Sequence, residues 1–145
     1  MNLPARIEAV RSLLKNNHIS KVDDPSLFED YVESLVNVLK VVHSRAYSAG
    51  MRRLTDPGVT TNKNGCPQIH WAIGDYDLVI RVEQAGHALL GVYDYMDSSR
   101  SWYESFPIGS KFGEAFVALI SKMRNRAYDP SKGKENLEAA EVIVA

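Results

Sequence analysis

The chain has 145 residues, enough for one domain with its own core, and its 45% hydrophobic and 24% charged residues match an ordinary globular domain. That balance excludes collagen-like, disordered and disulfide-scaffold chains. Seventeen Lys and Arg against 18 Asp and Glu give a formal charge of -1, so the whole molecule has no long-range pull on a polyanion and any nucleic-acid contact has to be local.

Cys66 is the one cysteine and has no intrachain disulfide partner, which fits a reducing compartment. Pro4 and Glu8 interrupt the apolar run that a secretory signal needs. Lys40 and His43 break the most apolar helical stretch before it reaches membrane-spanning length. The expectation is a soluble, cytoplasmic protein without a membrane partner.

In chain order, Ile7, Val10, Leu13 and Leu14 predict a short amphipathic helix over 4–16, ended by Asn16-Asn17-His18. A second helix is predicted over 25–49, with Asp24 as N-cap, Pro25 at the first helical position and Gly50 as the stop. Phe28, Val32, Leu35, Leu39, Val42 and Ala46 step by alternating fours and threes, and Tyr31, Val36, Val38 and Val41 widen that seam. So wide an apolar face belongs under a sheet; the alternative is a homodimer contact with the same helix of a second copy.

The segment 51–67 carries two turn signals, Asp56-Pro57-Gly58 and Asn62-Lys63-Asn64-Gly65, and reads as a long polar loop suited to contacts. Beyond it, a two-residue turn at Gly74-Asp75 pairs Ile73 with Tyr76, Trp71 with Leu78 and Ile69 with Ile80, all on one face of strands 69–73 and 76–83. His70, Ala72, Asp77, Val79, Arg81 and Glu83 take the other face. A second hairpin turns at Ala85-Gly86 into strand 88–95, and here two registers stay open. An even loop sets Asp77 against Asp94, whereas an odd loop or a bulge relieves that repulsion and carries Leu90 and Val92 to the core.

A fourth strand is predicted over 101–106. Ser110 then reads as the N-cap of a third helix over 110–127, with Phe112, Ala115, Phe116, Leu119, Ile120 and Met123 on one face. Residues 129–145 read as a linker and C-terminal tail, in which Val142-Ile143-Val144 is either a docked edge strand or a frayed end. The expected fold is α+β, three helices on one face of a four-stranded antiparallel meander, with 1–128 as a single domain.

No Walker loop, dinucleotide fingerprint, nucleophile elbow, metalloprotease helix or EF-hand loop occurs, and no cofactor, catalytic set or metal set is implied. His70, Asp77 and Asp94 are the residues on which a small enzyme or ligand-binding protein would rest, and Cys66 has only His70 nearby as a base. From Ser121 to Lys134 five basic residues oppose Asp129, so Lys122, Arg124 and Arg126 are the candidates for a nucleic-acid patch. Tyr93, Tyr95, Trp102 and Tyr103, with Arg81 and Arg100, place aromatic and guanidinium groups on or beside the sheet. The leading expectation is a non-catalytic protein that binds another protein, of the inhibitor, adaptor, antitoxin or immunity type. Its expected contacts are Arg52, Arg53, Lys63, Asn64, Tyr95, Arg100 and Tyr103.

Overall fold

The computed structural model describes residues 1–19, 24–51 and 53–138. Asp24 opens the longest helix, α2 (Pro25–Ser48), by accepting a hydrogen bond from the Ser26 N–H at 2.9 Å, with Pro25 at the first helical position. At the other end the N–H groups of Gly50 and Met51 donate to the carbonyls of Tyr47 (3.0 Å) and Ala46 (2.8 Å), and Gly50 takes φ +77°. This paired closure uses glycine at a left-handed backbone position that side chains disfavour, as the Gly50 stop predicts.

The first helix, α1 (Leu3–Arg11), is shorter than expected, because the chain tightens into a 3-10 segment over Ser12–Ile19. The Ser12 hydroxyl donates back to the Glu8 carbonyl at 2.8 Å, a bond that competes with continued α-helix. Arg11 pairs with Glu33 at 3.0 Å and ties α1 to α2.

Among the described residues the sheet has five antiparallel strands in sequential order: β1 (Gly58–Thr61), β2 (Pro67–Ile73), β3 (Tyr76–Gln84), β4 (His87–Asp94) and β5 (Trp102–Pro107). The first hairpin has the expected register, with Ile69 opposite Ile80, Trp71 opposite Leu78 and Ile73 opposite Tyr76 around Gly74 at φ +62°. The segment expected to be loop contains β1. Its Val59-Thr60-Thr61 run is β-branched, and the Asn62 side chain closes the following turn by accepting from the N–H groups of Asn64 (3.0 Å) and Cys66 (2.9 Å).

A bulge settles the second hairpin. Gln84 faces His87 across Ala85-Gly86, but Val82 and Glu83 together oppose Ala88, so the pairing beyond them is offset by one residue. Asp77 therefore faces Tyr93, and Leu90 and Val92 turn inward.

The core lies between this inner face and α2, whose Val32, Leu35, Leu39 and Val42 are buried with Ile69, Leu78, Ile80 and Leu90. The apolar seam of α2 is thus covered within the chain. The third helix, α3 (Ser110–Arg124), starts after Gly109 without a side-chain cap, so Ser110 is its first residue and not its N-cap. It packs Phe116 at a tilt against Trp71 (5.2 Å) and Phe112 edge to face against Phe106 (6.1 Å). Gly113 permits its close approach to α2: an added Cβ would lie 2.5 Å from the Arg45 Cγ.

The segment Pro130–Leu137, expected as linker, forms a 3-10 structure beside α3 and β5. There the buried Asn136 amide donates to the carbonyls of Asp129 and Gly133, both at 2.8 Å. The Val142-Ile143-Val144 stretch lies outside the described residues. Among the described residues no helix is long and apolar enough to cross a membrane.

Candidate functional site

The helices pack on the inner face, and strand alternation sends a second set of side chains to the outer one. Val79, only 5% exposed, lies in the middle of that outer face. Around it the sheet forms a shallow concavity of about 580 Å³ lined by Lys63, Asp77, Arg81, Tyr93, Tyr95 and Tyr103, among others.

One half of this face is organised by Arg81. Its guanidinium lies over the Tyr103 ring at 4.8 Å from the centroid, its Nε donates to Gln68 Oε1 at 3.1 Å, and its Nη1 donates to Glu83 Oε1 at 3.2 Å. Gln68 in turn donates to the Thr60 hydroxyl at 3.1 Å. Gly91 leaves room for the Tyr103 ring, since a Cβ there would meet the Trp102 carbonyl oxygen at 2.1 Å and Tyr103 Cδ1 at 2.5 Å.

The other half is a tyrosine pair. Tyr93 and Tyr95 meet edge to face at 5.0 Å and 75°, and the Tyr95 hydroxyl donates to the Asp77 carboxylate. That hydrogen bond is the main reason the Tyr95 hydroxyl is pushed above its ordinary range. Tyr93, Tyr95 and Tyr103, three of the six large hydrophobic side chains exposed among the described residues, line this one concavity.

The expected contact residues divide. Lys63, Tyr95 and Tyr103 share the concavity, and Asn64 sits next to Lys63 at the tip of the β1–β2 turn. Arg100 is exposed on the short 3-10 segment Ser98–Arg100, and its charge acts on Tyr128 and Asp129, away from the tyrosine pair. Arg53 lies with the helices, in a cleft shared with Gly50 and Arg124. Arg52 lies outside the described residues.

The nucleic-acid candidates lie at the end of α3. Lys122 donates to the Glu138 carbonyl, Arg124 lines the cleft with Arg53, and Arg126 is exposed just past α3 with φ +58°. His70, Asp77 and Asp94 do not come together. His70 and Asp77 are on the outer face, with the imidazole against Gly58, whereas Asp94 is 3% exposed on the inner face. There Asp94 accepts the N–H groups of Met96 (2.9 Å) and Asp97 (3.1 Å) and so closes the turn after β4. The bulge that turns Leu90 and Val92 inward takes Asp94 with them. Burial first, then the Glu83 carboxylate, push the Cys66 thiol up against the opposing pull of Arg81, the wrong direction for a nucleophile. Among the described residues no group of three or more His, Cys, Asp or Glu is placed to hold a metal ion.

Arg81, Tyr93 and Asp77 join the contact set through their position. The place of Arg81 and Asp77 on the polar side of the alternation was visible in the sequence, but the outward turn of Tyr93 and the meeting of all three with Tyr95 and Tyr103 depend on the bulge. Compared with family models, curated proteins and solved structures, the chain has no match.

Proposed function

We propose that this is a non-catalytic interaction protein that binds a protein partner through the outer face of its sheet. One observation carries this reading: the exposed Tyr93, Tyr95 and Tyr103 line one concavity with an Arg81 already fixed in place. Tyrosine and arginine are among the residue types enriched at protein interfaces, and the preset Arg81 and Tyr103 conformations reduce the entropy lost on binding. The face is a poor match for a polyanion, because Arg81 is paired with Glu83 and Asp77 adds a negative charge. An inhibitor, adaptor, antitoxin or immunity role fits such a surface.

The test is affinity capture from nuclease-treated lysate, followed by measured affinity of the recovered partner for folded variants. Replacing both Tyr93 and Tyr103 by alanine is expected to weaken binding by at least about tenfold, the scale of a hot-spot loss. Replacing Arg53 and Arg124 by alanine should leave binding unchanged. Unaltered binding by the tyrosine variant would overturn the assignment.

The competing nucleic-acid reading has one observation in its favour, the shared cleft of Arg53 and Arg124. It requires affinity that falls steeply with salt and is lost in the arginine variant.

A further inference from the structure

We propose that Tyr93, Tyr95 and Asp77 form a receptor corner for a cationic side chain, a lysine or arginine presented by the protein partner; this rests on the outer face being the docking surface. The same face already contains a completed version of this arrangement. Arg81 lies over the Tyr103 ring while its guanidinium is paired with the Glu83 carboxylate, so an aromatic face and an acid share one cation.

Asp77 and its two tyrosines repeat the aromatic and acidic parts on the neighbouring stretch of β3 and β4. The Asp77 carboxylate is half-buried and takes part in none of the ion pairs among the described residues, which join Arg11 to Glu33, Arg45 to Glu114 and Arg81 to Glu83. Its hydrogen bond from Tyr95 engages Oδ2 and fixes the ring beside the acid. The near-perpendicular Tyr93 ring flanks the same spot. A cation placed there would meet the negative charge of Asp77 and electron-rich ring faces at once, and a guanidinium or ammonium gains from both. An acidic partner group would instead be repelled by Asp77, which decides the sign of the ligand.

The experiment is a titration of the full chain with N-acetyl-arginine amide, followed through the ring protons of Tyr93 and Tyr95 by NMR. N-acetyl-citrulline amide, equal in shape and uncharged, is the control. Saturable shifts at both rings are expected with arginine, and binding of citrulline or of arginine to the Asp77→Asn variant should be weaker by about threefold or more. Tyr93→Leu gives the same loss by removing a ring, so the result stands even if Asp77→Asn does not fold. Equal binding of arginine and citrulline, or no shift at either ring, overturns the proposal. Failure here while the Tyr93 and Tyr103 substitutions still weaken partner binding removes only the cation assignment. Partner binding indifferent to those two tyrosines removes the docking face itself.

Discussion

Arg126 is the sole non-glycine among the described residues with a positive φ, +58°. It follows the α3 cap in the position that Gly50 fills after α2: its N–H reaches the Met123 carbonyl at 3.4 Å, and that of Ala127 reaches Lys122 at 2.7 Å. A side chain there costs about 1 kcal/mol against glycine, because Cβ crowds the neighbouring carbonyl. Arg126→Gly should therefore stabilise the chain by about that amount, read as a raised chemical-denaturation midpoint. No sequence pattern marks this position, since the apolar periodicity of α3 fades without a glycine. Gly50 was legible for the opposite reason: the residue type and the end of the pattern coincide. Asp94 shows how a residue can be assigned to the wrong place, because its side of the sheet depends on a single offset in β3.

Gly91 governs the contact between β4 and β5. Since the Trp102 carbonyl and the Tyr103 ring occupy the space of its missing side chain, Gly91→Ala should push β5 outward and destabilise the fold by about 1 to 3 kcal/mol. Equilibrium unfolding measures that loss, and the Tyr103 ring should leave its place under Arg81. At this scale the first hairpin was legible because turn chemistry and alternation agree over residues 69–83. The four residues of β1 were hidden between two turn signals, and the bulge at Val82-Glu83 contains no glycine or proline to announce it. The candidate site was half legible for the same reasons. Tyr95, Tyr103 and Lys63 could be named from their types, whereas Arg53 and Arg100 went to other parts of the surface through packing that local sequence does not encode.

Across the molecule one local device recurs: Asp24, Asp97 and Asp129 each precede by two a serine whose N–H and hydroxyl both bond the carboxylate. The serine hydroxyl bond, and then the backbone bond, hold all three acids below their ordinary range. Glu33 is held down likewise by Arg11. A carboxylate depressed on folding contributes stability above its unfolded pKa and loses it as pH falls through the folded value. The thermal midpoint should therefore drop as pH falls below about 4. Replacing the three aspartates by asparagine, which still caps but does not titrate, should flatten that acid slope. The sheet with helices on a single side has a different consequence. Along β4, Leu90 and Val92 are committed to folding while the residue between Val92 and Asp94 faces outward, so under the proposed binding role neighbouring positions answer to separate selective pressures. New specificities can then arise by exchanging every second residue of a strand, with the interior left as inherited.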